Sequence, residues 1–266
     1  MKIIPFGNTG LKVSKVCFGT MTIGSNRWKP WVLNKSDSRP ILKKCLELGI
    51  NFFDTANWYS TGESEKIVSS ILMSLVPRDQ LILATKVYYP MSDDPNQRGL
   101  SKKHILSSID SSLKRMNTDY IDLFIIHAFD TNTPIEETME TLDHLVRIGK
   151  VRYLGASTMY AWQFESMNHI ARLNGWTEFK NMQCQYNLIY REEEREMIPY
   201  CTNRKIATTA FSPLARGWLS GSNKVRSETD ESFKSFHGDN LDKKIINLVK
   251  NIASNYDVTM ANIALS

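Results

Sequence analysis

The stretch NFFDTANWY at residues 51–59, followed by LILATK at 81–86 and IDLFIIH at 121–127, decides the fold. Each is a short apolar run rich in aliphatic and aromatic residues. Each also ends in a polar side chain that has no reason to sit on a core strand: Asp54, Lys86 and His127. Tyr59 follows Asp54 by five residues, so one strand end and its loop carry both. A parallel barrel points the C-terminal ends of all its strands at one face, and active sites are built there. The spacing predicts four titratable groups converging on one cleft.

Working outward, short apolar strands alternate with amphipathic helices. Residues 1–12 read as a small hairpin, and 16–19 as the first core strand. Helices are expected over 38–48, 63–75, from the cap Ser101 onward, from Pro134 at a first helical position to Gly149, and over 162–173 and 193–203. Strands are expected at 51–54, 81–85, 121–126, 151–156, 182–186 and 206–211. Seven strand–helix alternations with no break in composition predict a single α/β domain over 1–266, a (β/α)8 TIM-type barrel whose eighth strand and last helix fall outside the sequence. Residues 215–240 are polar and irregular, a length that suggests a functional lid, and helical patterning resumes over 241–256 and in the final MANIALS.

Composition narrows the classes. A 42% hydrophobic share beside 23% charged residues supports a sizeable core and argues against disorder. The net charge of +5 is scattered, with no basic block for nucleic acid. Cys17, Cys45, Cys184 and Cys201 form no C-x-x-C pair, so neither zinc nor a disulfide framework is expected, and no metal site is suggested by spacing. Nothing resembles a signal peptide or a run of about 18 apolar residues; a cytoplasmic protein with no membrane partner is expected, its oligomeric state open.

The four polar groups suggest a chemistry. A phenol titrates near 10 and is a poor acid at neutral pH unless a cation stabilises the phenolate. Lys86 is placed to be that cation, Asp54 to hold it, and His127 to hydrogen-bond a substrate oxygen or relay a proton. The set suits protonation of a carbonyl oxygen. No side chain delivers hydride, which points to a nicotinamide cofactor. Taken singly, each has a bland reading: Asp54 as a turn cap, Lys86 as a surface charge, His127 as a satisfied core histidine and Tyr59 as a loop aromatic. Their coincidence at corresponding strand ends carries the inference.

These residues resemble the aldo-keto reductases. The matches are Phe18-Gly19-Thr20, FDTA-x-x-Y at 53–59, Lys86, DL-x-x-IH at 122–127, GAST at 155–158, Q-x-x-YNL at 183–188 and FSPLARG at 211–217. The segment YNLIYREEEREMIPYC is similar to the fungal aryl-alcohol dehydrogenase branch. The resemblance implies an NADPH-dependent reductase of aldehydes or ketones, aromatic aldehydes foremost, with Tyr59 as general acid, Lys86 and Asp54 tuning it and His127 orienting the carbonyl. It further implies that Ser157 and Gln183 bind the nicotinamide carboxamide and that Phe211 stacks on its ring. Ser212, Leu214 and Gly217 would follow the pyrophosphate, Thr20 and Met21 flank the ribose beside Asp54, and Arg226 fold over the phosphates.

Three departures bear on this. Thr158 follows the serine of GxS where many relatives carry Asn or Arg, and Ala128 follows His127 where many carry Arg. The family segment for the adenosine 2′-phosphate would lie beyond Ser266, leaving NADPH against NADH unresolved. Trp28, Trp31, Trp58, Tyr88 and Tyr89 are expected near the catalytic face as an aromatic wall, or alternatively as rim packing. His104, His144, His169 and His237 are given no role. Two other readings stay open: a Schiff-base aldolase using Lys86, and a catalytically impaired reductase-like binding or regulatory subunit.

Overall fold

Alternate residues 52 and 54, then 82, 84 and 86, then 123 and 125 stand in register on three neighbouring strands, and the face they share is the inside of a barrel. The computed structural model describes residues 1–221, 228–230 and 240–266. Strand β1 (Ile3–Pro5) pairs antiparallel with β2 (Lys12–Ser14). Seven parallel strands follow in chain order: β3 (Cys17–Gly19), β4 (Phe52–Asp54), β5 (Ile82–Val87), β6 (Ile121–Ile126), β7 (Val151–Ser157), β8 (Phe179–Gln185) and β9 (Ala207–Phe211). Helices α1 (Lys35–Glu47), α2 (Glu63–Met73), α3 (Lys102–Met116), α4 (Ile135–Arg147), α5 (Ala161–Asn174) and α6 (Met197–Arg204) make the crossovers between them. Helices α7 (Asn240–Asn255) and α8 (Met260–Leu265) close the described chain. This is a (β/α)8-type barrel without its eighth strand, so β3 and β9 are the sheet edges among the described residues.

Two apolar layers hold it. Inside, Phe52, Ile82, Ala84, Leu123 and Ile125 pack with Phe6 and Val13 of the hairpin, which plugs the N-terminal end of the barrel; Phe6 and Phe52 meet edge to face at 5.7 Å. Outside, Phe53, Leu83, Val87, Phe124 and Ile126 pack against helix faces that include Val68, Leu72, Ile105 and Ile109. Each such side chain contributes roughly 1.5–3 kcal/mol on burial. The strand-end polar groups therefore stand on a rigid scaffold.

Element boundaries differ from expectation where local chemistry intervenes. Helix α1 begins three residues before Ser38, because Asn34 caps it by accepting from the Asp37 N–H at 3.1 Å. Pro40 lies inside it; the bond it cannot donate would go to the carbonyl of exposed Ser36. Pro134 is not the first helical residue but the cap, with an extended ψ of 136°. Helix α6 begins at Met197 rather than 193, with Glu192–Glu194 a separate 3-10 turn. Pro199 lacks an N–H and falls in the first turn of this helix, where no intrahelical bond is lost. Strand β8 begins three residues before Met182; Asn181 disguised it, yet its amide points inward and donates to the Ala207 carbonyl at 3.1 Å. Of the expected lid, Ala215–Ser220 is a 3-10 turn, and the Arg216 guanidinium lies 3.5 Å from the Asp230 carboxylate.

Asp122, on β6, accepts from the Arg78 guanidinium at 2.7 Å and from the Leu83 N–H at 2.9 Å, tying β5 to β6 below the site. Removing it leaves the Leu83 N–H unpaired and takes the counter-ion from the Arg78 guanidinium, which keeps its bonds to the Thr118 hydroxyl and to the Leu81 and Tyr120 carbonyls. Asp122→Ala is expected to lower stability by about 2–3 kcal/mol in denaturant unfolding, whereas Asp110→Ala, which removes only the exposed pair with Lys150, is expected to change it by about 0.5 kcal/mol or less.

Candidate active site

Lys86 decides the geometry. Its side chain is fully buried, and an ammonium has three protons to place. Nζ donates to Asp54 Oδ2 at 2.5 Å, to the Thr55 carbonyl at 2.7 Å and to Tyr59 Oη at 3.3 Å. Asp54 divides its carboxylate, since Oδ1 accepts from Gln183 Nε2 at 3.1 Å. Tyr59 reaches the cluster because residues 59–62 form a tight 3-10 turn in which Ser60 and Thr61 are left-handed, at φ 49° and 51°. Gly62, at φ 90°, ends that turn where a Cβ would lie 2.5 Å from Arg115 Cδ. The turn sets the Tyr59 ring centroid 4.8 Å from Nζ. His127 follows β6, its N–H bonded to the Val87 carbonyl at 2.9 Å, and its ring packs edge-on to Tyr59 and Tyr89 at 5.8 and 4.7 Å. Asp54, Lys86 and His127 at the strand ends and Tyr59 from the adjoining turn thus converge.

The electrostatics follow from burial and from these partners. Burial pushes the Tyr59 phenol up; Lys86 pulls it back, Asp54 opposes that pull, and the net shift is upward from 10.0. Tyr59 is therefore a protonated phenol at neutral pH. Burial pulls Lys86 down, but Asp54 and Tyr59 more than reverse it, so the ammonium stays charged. Burial and the nearby Lys86 charge hold His127 well below 6.5, so its imidazole is neutral. Its Nδ1 is buried without a hydrogen-bond partner. A donor proton left unmet costs more than an unused lone pair, which favours the tautomer with the proton on Nε2.

The start of α2 ties the strand ends together, a feature not anticipated from sequence. Ser64 Oγ donates to the Thr20 carbonyl at 3.1 Å and accepts from Thr55 Oγ1 at 3.1 Å. Glu65, fully buried, accepts from Thr85 Oγ1 at 2.6 Å and from Arg115 Nε at 2.5 Å. Residues flanking Asp54 and Lys86 are therefore anchored to the helix that begins directly after the Tyr59 turn. One signal was available: Glu65, Val68 and Leu72 recur at helical spacing, which sets an acid on an apolar face.

Residues expected to hold a cofactor occupy the same end of the barrel. Ser157 and Gln183 are paired in register at the ends of β7 and β8, both buried. A hydroxyl and an amide side by side suit a primary carboxamide. Phe211 ends β9, half-buried. Beyond it Ser212, Ala215, Arg216 and Gly217 all have positive φ, and left-handed backbone of this kind makes anion-binding concavities. Asn187 Nδ2 donates to the Ser212 carbonyl at 3.0 Å and fixes the entry to that turn. Leu214 and Met21 are half-buried. Thr20 is fully buried, its hydroxyl bonded to the Asp54 carbonyl at 2.9 Å. Arg226 and His237 lie outside the described residues.

The aromatic residues form a connected wall. Trp28 meets Trp58 edge-on at 5.1 Å and Trp31 at 6.2 Å. Trp58 meets Tyr89 at 4.9 Å, and Tyr88 meets Tyr89 at 5.3 Å. Through Tyr89 the wall reaches His127. His104, by contrast, is buried on α3 beside Ser108, away from this wall. All four cysteines are free, and among the described residues no acidic, cysteine or histidine cluster fits a metal ion. No described helix is long and apolar enough to cross a membrane.

Comparison with known proteins agrees with this architecture. The model of the Aldo/keto reductase family matches residues 15–266. An aldo-keto reductase of Fusarium vanettenii is 43% identical, covering 98% of this chain and 78% of its own length. Versiconal hemiacetal acetate reductase of Aspergillus parasiticus is 40% identical over 100% of this chain and 84% of its own. A candidate aryl-alcohol dehydrogenase of Saccharomyces cerevisiae is 38% identical over 100% and 85%. A matched family model over nearly the whole chain, relatives at this identity, and an Asp–Lys–Tyr–His set at the strand ends lead to one statement: the chain belongs to the aldo-keto reductase family.

Proposed function

We propose that this protein is an oxidoreductase that reduces aldehydes or ketones to alcohols with NADPH, aromatic aldehydes being its preferred substrates. The observation that carries the reading is the buried ammonium of Lys86, bonded at once to Asp54 and to the phenol of Tyr59. In this reading Tyr59 gives its proton to the carbonyl oxygen, and Lys86 stabilises the phenolate left behind until solvent returns a proton. His127, neutral, donates from Nε2 to the same oxygen and orients the carbonyl over the cluster. Bound NADPH supplies the hydride that the carbonyl carbon takes up.

The residues present suit that cofactor. Ser157 and Gln183 would hold the carboxamide, Phe211 would lie against the ring, and Ser212, Leu214 and Gly217 would follow the pyrophosphate; Met21, Thr20 and Asp54 would border the ribose. Arg226 is proposed to close over the phosphates. Trp28, Trp58 and Tyr89 favour a flat apolar substrate, because aromatic rings offer broad contact at low entropic cost. The names of the similar reductases and dehydrogenases point the same way. A cytoplasmic location, a single domain over 1–266 and a small-molecule carbonyl substrate, with neither nucleic acid nor membrane as a partner, complete the reading.

Two outcomes test it. NADPH consumption followed by absorbance is expected with benzaldehyde and veratraldehyde; Tyr59→Phe, which keeps the ring and removes the donor, is expected to lower kcat by about 10²–10⁴. Lys86→Met is expected to do the same and to cost about 3–5 kcal/mol of stability, because it strands Asp54. Turnover unaffected by Tyr59→Phe would sink the reading. The second outcome concerns pH. Since Tyr59 is raised above 10.0 and must be protonated to act, the reduction rate is expected to hold through neutrality and decline only above about pH 10. His127 is depressed below 6.5, so the stability it contributes is present above pH 6.5 and lost as pH falls toward its folded value. His127→Gln is expected to flatten the fall of Tm below pH 6.5, as calorimetry across pH 4–8 would show.

A further inference from the structure

The connection between β5 and α3 spans residues 88–100, and its behaviour depends on one carboxylate outside the catalytic cluster. Residues 92–98 are exposed at its tip, whereas Leu100 at its base is buried. The base is closed by the Gly99 N–H donating to the Tyr88 carbonyl at 2.7 Å. Asp130, buried three residues after His127, holds that base from the neighbouring loop. Its Oδ2 accepts from the Leu100 N–H at 2.7 Å and from Thr133 Oγ1 at 2.8 Å; its Oδ1 accepts from the Asn132 N–H at 2.9 Å. Gly99 has φ +76°, and a Cβ there would lie 2.6 Å from Asp130 Oδ2, so the two loops meet with no room to spare.

The same connection carries Tyr89, whose ring bridges His127 and Trp58. We propose that Asp130 is a positioning residue for substrate choice: by clasping Leu100 it keeps Tyr89 against His127 and so sets a preference for aromatic over small aliphatic carbonyls. This rests on the reductase reading for its substrate consequence alone. A carboxylate accepting three hydrogen bonds, two of them from backbone donors in separate loops, is costly to bury unless all are satisfied. Truncating it frees the base of the connection rather than the catalytic cluster.

Three variants and two readouts test the proposal. Asp130→Ala is expected to raise KM for veratraldehyde about tenfold, equivalent to about 1.4 kcal/mol of lost binding, while kcat/KM for propanal stays within about twofold. Trypsin is expected to cut after exposed Arg98, next to the clasp, at least about tenfold faster than in the wild type, as an opening equilibrium shifted by that energy requires. Asp130→Asn keeps one acceptor oxygen and is expected to fall between. Gly99→Ala, which leaves Asp130 intact but drives a methyl into it, is expected to mimic Asp130→Ala. Equal losses for both aldehydes, or unchanged trypsin cleavage in Asp130→Ala and Gly99→Ala, would overturn the clasp. A wild type that turns over neither aldehyde would instead sink the reductase reading, and the cleavage rates would still decide whether Asp130 holds the connection.

Discussion

An ammonium with no solvent exposure has to find three acceptors, and around Lys86 the barrel supplies them: a carboxylate, a backbone carbonyl and a phenol. An isolated buried charge costs far more than any one contact returns. The carboxylate of Asp54 is therefore not optional, and neither is the level at which β4 stands beside β5. Asp54 pairs in register with Ala84, two residues before Lys86. A slip of one residue would turn Asp54 to the helix side of the sheet and leave the ammonium alone.

That demand explains features far from the reacting groups. The hairpin plug and the inner apolar layer fix the barrel below, and Asp122 with Arg78 locks β5 to β6 at the same end. Above, Ser64 and Glu65 bind the flanks of three strand ends, and the left-handed turn before them delivers the phenol from the adjoining loop. Local strain at Ser60 and Thr61 is tolerated because the surroundings over-determine it. The charged cluster is held from below by packing and from above by hydrogen bonds.

Much of this was written plainly in the chain. A polar residue that closes an apolar strand stands out, so Asp54, Lys86 and His127 were legible, and the alternation of strands and helices gave the barrel. What escaped reading has physical reasons. The bond from Gln183 to Asp54 joins residues 129 apart across the barrel, a relation no local pattern encodes. Glu65 looks like any surface acid in GESE until helical phase turns it inward. Asp130 sits in a Phe-Asp-Thr-Asn turn whose composition suggests only a loop, because its partner Leu100 is thirty residues away. The boundary of α1 moved because Asn34 caps it, and that of α6 because Pro199 suits a first helical turn.

The electrostatic set also separates two properties that the sequence had merged. Proximity to Lys86 suggested an acidified phenol, yet desolvation outweighs that pull. The two effects act on different states. Burial disfavours the phenolate whenever it forms, so the resting group keeps its proton. The ammonium acts chiefly once negative charge develops on Oη, when the Coulomb attraction across 3.3 Å is at its greatest and no reorganisation of water is needed. A neutral His127 fits the same logic, because a second cation beside Lys86 would have to be desolvated as well. In the proposed reaction the site thus keeps a weak acid protonated at rest and lowers the cost of its ionisation only where a carbonyl oxygen takes the proton.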